Sequence, residues 1–401
     1  MSLKRRNFIS SLGIASLAAI SNTVFASEKK IQPTVNPEKT GIKITNLKTY
    51  VLPRAILVKI ETNAGISGWG ESSPNNTRLI QTFIETDMKD RVIGRDPFDT
   101  EPIWNELYWY NHDLGPAGAL PYAVAGIDLA LWDLKGKILQ QPVYKLLGGS
   151  FQKEFPAYGG FGVYGFTVSK EKAVEKALNL AEKGFKTIKL RMQIREYNLN
   201  PVPDYTLEYY EAVRKALPGD VELFVDPNEG YTAARAVSIG KELQKMGMKY
   251  FESPCPLENH KDTAAVVEAL DIPVLAGEKC YTRWQFRDLI LQANPDIIQP
   301  DLIKAGGITE VKKIAALGQT FFKTLALHNT KPTLGTSAAL HLLASCSNFG
   351  PFIEFIETEL YGPVLSVFEN QVEFKEGKLI VPEGDGLGLI INEKKLERIA
   401  E

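Results

Sequence analysis

Val221-Glu222-Leu223-Phe224-Val225-Asp226, Tyr250-Phe251-Glu252 and Pro273-Val274-Leu275-Ala276-Gly277-Glu278 decide the reading of this chain. Each is a short run of β-branched, aromatic or aliphatic residues that closes on an acid. Amphipathic segments at 233–246 and 263–270 separate them. Strand–helix alternation of this kind predicts a parallel sheet with helical crossovers. The acids fall 26 and 26 residues apart, which one βα unit per interval explains.

Working outward, the rhythm holds. Thr187-Ile188-Lys189-Leu190, Ile297-Ile298, Thr324-Leu325-Ala326-Leu327 and Phe352-Ile353 read as further strands, with helical segments at 173–183, 205–217, 311–319 and 338–345. The polar residues at the strand ends stand at 189, 226, 252, 278, 301, 328 and 354, separated by 37, 26, 26, 23, 27 and 26. Seven or eight such units in about 200 residues fit a closed barrel, with all these side chains at its C-terminal mouth. Upstream, 42–71 reads as a strand meander with Gly-based turns, and 78–148 switches to a helical period through Ala123, Ile127, Leu131 and Leu134. Strands followed by helices predict an α+β domain over 42–154.

The first residues are not fold. Lys4-Arg5-Arg6, Asn7-Phe8-Ile9, an apolar run from Leu12 to Ile20 and then Val24-Phe25-Ala26 describe an export signal of the twin-arginine type. The expectation is cleavage after Ala26, a flexible polar leader over 27–41, a periplasmic location and no stable membrane insertion afterwards. A net charge of −2 gives no reason to expect nucleic acid as a partner. Four histidines make a multi-histidine metal site a poor expectation. The three cysteines rule out a full disulfide framework, while Cys255 and Cys280 remain either free thiols or one bridge.

Asp226, Glu252 and Glu278 at neighbouring strand ends would repel one another unless protonated or neutralised by a cation. Oxygen donors without His or Cys suit one Mg²⁺, which keeps positions open for substrate oxygens. Each acid alone also reads as a helix cap or a partner for a basic residue; the repeated spacing favours metal. Lys189 and Arg191, two apart, face one side of their strand. Lysine there can stabilise negative charge or act as a base, whereas arginine stays protonated. His328 and Asp301 end adjacent strands, so Asp301 can hold one imidazole nitrogen while the other takes a proton. Glu354 ends the last strand as a hydrogen-bonding acid or a lysine partner, and Glu357 is a weaker candidate beyond it. Such a set suits removal of a proton next to a carboxylate, with cation and lysine stabilising the enolate.

These residues, with Gly68-Trp69-Gly70-Glu71, Ile127-Asp128-Leu129-Ala130-Leu131-Trp132-Asp133, Leu146-Leu147-Gly148-Gly149, Lys304-Ala305-Gly306-Gly307 and Glu383-Gly384-Asp385-Gly386-Leu387-Gly388, make the chain resemble a known family. It is similar to the mandelate racemase and muconate lactonizing enzyme group of the enolase superfamily, and to its acid-sugar dehydratases. The resemblance implies an α/β fold: a modified TIM barrel, (β/α)7β, over 155–368. An α+β domain would cap its mouth, and residues 369–401 would return to that cap. It implies metal ligands at Asp226, Glu252 and Glu278, a His328–Asp301 pair, a substrate-binding or supporting role for Asn228 and Lys304, and a homo-oligomer. It also implies that the turn at Arg54 and the loop Glu71-Ser72-Ser73-Pro74 contact substrate, with His112 as a further cap candidate.

One departure stands out: Arg191 occupies a position where many relatives carry a second lysine base. That favours a single base, His328, and dehydration of an acid sugar to a 2-keto-3-deoxy acid. Epimerisation or cycloisomerisation through the same enolate is the alternative. A non-catalytic periplasmic sugar-acid binding protein is a remoter one, against which Lys189, Asp301 and His328 together argue.

Overall fold

The computed structural model describes residues 41–163, 166–192, 199–356 and 361–400. The export signal, the leader up to residue 40 and Glu357 lie outside them. β1 (Ile44–Leu52), β2 (Ala55–Thr62) and β3 (Ser67–Ser72) form an antiparallel meander. It packs on the long helix Ala119–Leu139, whose buried face includes Val124, Ile127 and Leu131. The Gly-Trp-Gly of β3 has a steric cause. A Cβ on Gly68 would stand 2.2 Å from the carbonyl oxygen of Ala130, and one on Gly70 would stand 2.1 Å from that of Gly126. Strand and helix touch backbone to backbone there, so any side chain would force them apart.

The second layer is a parallel sheet of eight strands: β4 (Glu154–Gly162), β5 (Thr187–Arg191), β6 (Glu222–Asp226), β7 (Phe251–Glu252), β8 (Val274–Ala276), β9 (Ile297–Ile298), β10 (Thr324–Leu325) and β11 (Ile353–Ile356). Each pairs with the next up to β10, and β11 pairs back onto β4. Between β10 and β11 the ladder gives way to single contacts, among them Glu354 N–H donating to the Leu327 carbonyl at 3.4 Å. Helices Lys170–Glu182, Thr206–Ala216, Ala233–Lys245, His260–Ala269, Arg283–Gln292, Gly307–Thr320 and Leu334–Ala344 fill the seven intervals, which is the (β/α)7β order. The lumen is packed, not hollow: the rings of Tyr158, Phe224 and Phe352 meet with centroids 4.9–5.6 Å apart. A hairpin of β12 (Phe374–Lys375) and β13 (Lys378–Ile380) adds antiparallel to the first residues of β4.

Three buried carboxylates tie the layers together. Asp133 accepts from Trp69 N–H at 2.7 Å and from Leu387 N–H at 2.8 Å, joining meander, helix and C-terminal segment. Asp128 accepts from Thr309 N–H at 3.0 Å, in the first turn of the helix Gly307–Thr320. Glu71 accepts from Gly335 N–H at 2.8 Å and Thr333 Oγ1 at 2.6 Å, at the start of Leu334–Ala344. Glu71 is fully buried, and Ser72 donates to the Tyr122 carbonyl, so these two residues of the loop at 71–74 are committed to the seam. Among the described residues, no helix is long and apolar enough to cross a membrane.

Candidate active site

The C-terminal ends of β5–β8 bring Lys189, Asp226, Glu252 and Glu278 into one buried cluster. One carboxylate oxygen each from Asp226, Glu252 and Glu278 lies within 4.8 Å of the others. Lys189 Nζ sits 2.7 Å from Glu252 Oε1, 2.9 Å from Glu354 Oε1 and 3.5 Å from Asp226 Oδ2, and donates to Tyr158 OH at 3.2 Å. Burial penalises the Lys189 ammonium, but Glu252 and Glu354 outweigh it and push its pKa up. Burial raises the pKa of Glu252, with Asp226 and Glu354 adding repulsion. Burial raises Asp226 likewise.

These three acids fit a divalent cation. The donors are all hard oxygens gathered in a buried cluster, and Glu252 Oε2 is buried with no hydrogen-bond partner among the described residues. Backbone strain gathers at the same place: Asn228, Glu229 and Ser253, just beyond β6 and β7, hold φ of 53°, 64° and 40°. Non-glycine residues persist there only where their surroundings fix them.

Asn228 takes a supporting place. Its N–H donates to Asp226 Oδ1 at 2.8 Å and its Nδ2 donates to Glu278 Oε1 at 3.3 Å. Arg191 Nε donates to Asn228 Oδ1, so the arginine orients the amide that holds two of the acids.

On the opposite wall His328 Nδ1 lies 2.7 Å from Asp301 Oδ2, while Nε2 faces Glu278 Oε2 at 3.2 Å and Glu354 Oε2 at 3.6 Å. Burial works to raise the Asp301 pKa, but Lys304 and His328 overcome it and hold the carboxyl at about 2. Lys304 Nζ is 3.4 Å from Asp301 Oδ2, so it supports the dyad's acid. Glu354 is fixed by Lys189 and by Asn329 N–H at 3.1 Å. Burial would raise its pKa; Lys189 and His328 lower it. Asn329, Tyr158 and Lys331 were not singled out from sequence. Asn329 and Lys331 follow His328 in the same loop, the one signal that could have found them.

The remaining candidates fall elsewhere. His112 packs on Trp109 and Tyr108 with centroids at 5.0 and 5.6 Å. The three cysteines are free and buried, and burial pushes the Cys255 thiol up to about 12.

Buried acidic residues at one barrel mouth, opposite a His–Asp pair and under an α+β cap, fit the class of enzymes that stabilise charge beside a carboxylate. The comparisons agree. The model of the enolase C-terminal domain-like family matches residues 172–395, and that of the mandelate racemase / muconate lactonizing enzyme N-terminal domain matches 27–148. The chain belongs to the mandelate racemase/muconate lactonizing enzyme group of the enolase superfamily. It is 32% identical to D-galactarolactone cycloisomerase of Agrobacterium fabrum, over 85% of this chain and 90% of that protein. It is 29% identical to arabinonate dehydratase of Saccharolobus solfataricus, over 90% and 95%. A mandelate racemase/muconate lactonizing protein from Paracoccus denitrificans, complexed with magnesium, superposes with a TM-score of 0.85 at 29% identity, covering 90% of this chain and 98% of that one. The 3,6-anhydro-D-galactonate cycloisomerase of Zobellia galactanivorans superposes at 0.80 with 31% identity, covering 90% and 99%. The chain is therefore an enzyme, a lyase or isomerase acting on a small organic acid.

Proposed function

We propose that the enzyme removes the proton α to the carboxylate of an acid sugar and then eliminates the β-hydroxyl, giving a 2-keto-3-deoxy acid. The observation that carries this is the single His328–Asp301 dyad facing the carboxylate cluster, with Arg191 where a second base would stand. Asp226, Glu252 and Glu278 would hold a Mg²⁺ ion, which would supply the positive charge that stabilises the enolate. Lys189, held charged, adds to that field from the same wall. Asp301 fixes His328 with Nδ1 as donor, which leaves Nε2 to take the α-proton. Glu354, fixed by Asn329, borders the same space and holds the Lys189 ammonium in position. His328, now protonated, returns its proton to the departing hydroxyl, so one residue serves both steps. Arg191 acts through Asn228, which it orients toward Asp226 and Glu278.

Cycloisomerisation is the second reading, favoured by the likeness to the two cycloisomerases. It uses the same first half-reaction. Incubation with Mg²⁺ and a library of open-chain acid sugars, their lactones and anhydro forms, read by mass and for α-proton exchange into D₂O, separates them. Dehydration turns an open-chain acid into a 2-keto acid lighter by one water, whereas cycloisomerisation turns a cyclic substrate into a 2-keto acid of the same mass. Product from cyclic substrates alone would sink dehydration and keep the enolate. From the twin-arginine-type N-terminus we further propose a periplasmic location for the mature protein, and from the family likeness a homo-oligomer. N-terminal sequencing of the exported protein, expected to begin at Ser27, and its mass in solution test those two points.

A further inference from the structure

A cavity of about 250 Å³ opens beside Lys189 and Glu354, between the β1–β2 turn of the cap and the barrel mouth. Its charge is one-sided. Arg54, Lys176, Arg191 and Lys331 line it together with Lys189. Glu354 is the one carboxylate among its described lining residues, and Lys189 already engages that at 2.9 Å.

Lys331 is the telling member. It is only 8% exposed, yet its Nζ donates to Thr330 Oγ1 at 2.7 Å and to the Thr330 carbonyl at 3.3 Å, and no carboxylate among the described residues lies within 4 Å of it. A buried ammonium without a counter-ion is costly and calls for an anion.

Arg54 gives an independent sign. It follows Pro53 in the two-residue turn between β1 and β2 and holds φ 68°. That is the left-handed position which, after Pro, favours glycine. An arginine kept there costs stability, and such strain gathers at functional sites. The guanidinium stands 6.0 Å from the ring of Tyr361, whose hydroxyl donates to the Thr330 carbonyl at 2.9 Å, so cap arginine and buried lysine share one wall.

We propose that this cavity binds a second anionic group of the substrate, remote from the reacting carboxylate, so that the enzyme's natural substrate is a dianion of the aldaric acid type. The proposal rests on the acid-sugar reading above and narrows it. Arg54 and Lys331 are then specificity-determining residues. The far group is read by charge and the reacting end by the metal ligands, Lys189 and His328.

The test is calorimetric titration of the full chain with Mg²⁺ present, comparing each aldarate with the aldonate that differs only at the far carbon. A 6-phosphoaldonate arm distinguishes a phosphate ester from a carboxylate as the source of the second charge. One charge-assisted contact of about 1.5–3 kcal/mol predicts about 10- to 150-fold tighter binding of the dianion. Lys331→Met should abolish the preference. Arg54→Gly should weaken it while raising the thermal midpoint, because glycine relieves the strained φ; a purely structural arginine would not part stability from selectivity in this way. Equal affinities for the matched pairs, or no binding by any dianion, overturn the proposal. Proton exchange at C2 is measured separately: a clear dianion preference without exchange would defeat the enolate reading and leave this subsite standing.

Discussion

Replacing Asp301 by Asn tests the dyad with the least disturbance to its frame. Oδ1 accepts from Ile303 N–H at 3.1 Å, a bond that an amide oxygen can keep. The oxygen that changes is Oδ2, which meets His328 Nδ1 at 2.7 Å and Lys304 Nζ at 3.4 Å. The substitution removes a charge-assisted bond of about 1.5–3 kcal/mol from the protonated imidazole. Carried into the barrier, that slows proton removal by about 10- to 150-fold. Asp301 is held at about 2, so it is ionised throughout any neutral assay and the effect should not depend on pH there. The assay is NMR of C2–H exchange into D₂O with Mg²⁺ and saturating substrate, which reads proton removal alone. Unfolding midpoints of both proteins check that the frame survived. An exchange rate within twofold of the parent would refute the dyad. A loss confined to KM would move Asp301 from base support to substrate binding.

Other outcomes follow from the same structure. Free Mg²⁺ at about 100 times its Kd should stabilise the fold by about 2.7 kcal/mol in thermal unfolding. Glu252→Gln should raise the metal-free midpoint by relieving repulsion, yet blunt the Mg²⁺ response; an undiminished response would remove Glu252 from the ligand set. Burial raises the Asp128 pKa from 3.8 to about 7. The native state then keeps a proton that the unfolded chain loses, so this group's contribution is full below about pH 4 and is lost as pH rises to about 7. Asp128→Asn should flatten that part of the midpoint-versus-pH curve and raise the midpoint at pH 8, and an unchanged curve counts against the assignment. Asp133→Ala leaves the N–H groups of Trp69 and Leu387 buried without acceptors, at a cost of about 2–6 kcal/mol. Limited proteolysis should then cut first near 384–390, and a parent-like pattern would show that the C-terminal segment is held by other contacts.

The barrel and its acidic cluster were legible because both obey a period. A βα unit advances the chain by about one interval, and a side chain at each strand's end must face the mouth. Ile297–Ile298 is a strand of two residues, yet the spacing placed Asp301 beyond it correctly. The helix Arg283–Gln292 has no such advantage: its charged and apolar residues give a weak stripe, and only the interval between β8 and β9 demands it. Glu71 shows the limit of motif reading. The resemblance put its loop at the substrate, but which way a cap carboxylate points depends on backbone donors contributed from residue 335, more than 260 positions away. Lys331 was missed for a related reason. Nothing in a lone lysine reports that its burial will lack a counter-ion; that is a property of the assembled cavity. The hydrogen bond from Arg191 to Asn228 became visible only once β5 and β6 lay side by side.

The three carboxylates of the seam bear on how molecules enter and leave. Glu71 and Asp128 each grip the first turn of a barrel helix, those that follow the loops of His328 and Asp301. A cap that swung open as a rigid lid would tear both grips and disturb the base with every turnover. Among the described residues a cavity opens beside Arg54 without parting either grip, so the residue proposed to sort substrates by charge also stands at an entrance. Changes that retune selectivity there would alter the rates of arrival and release along with affinity, while the cap itself stays shut.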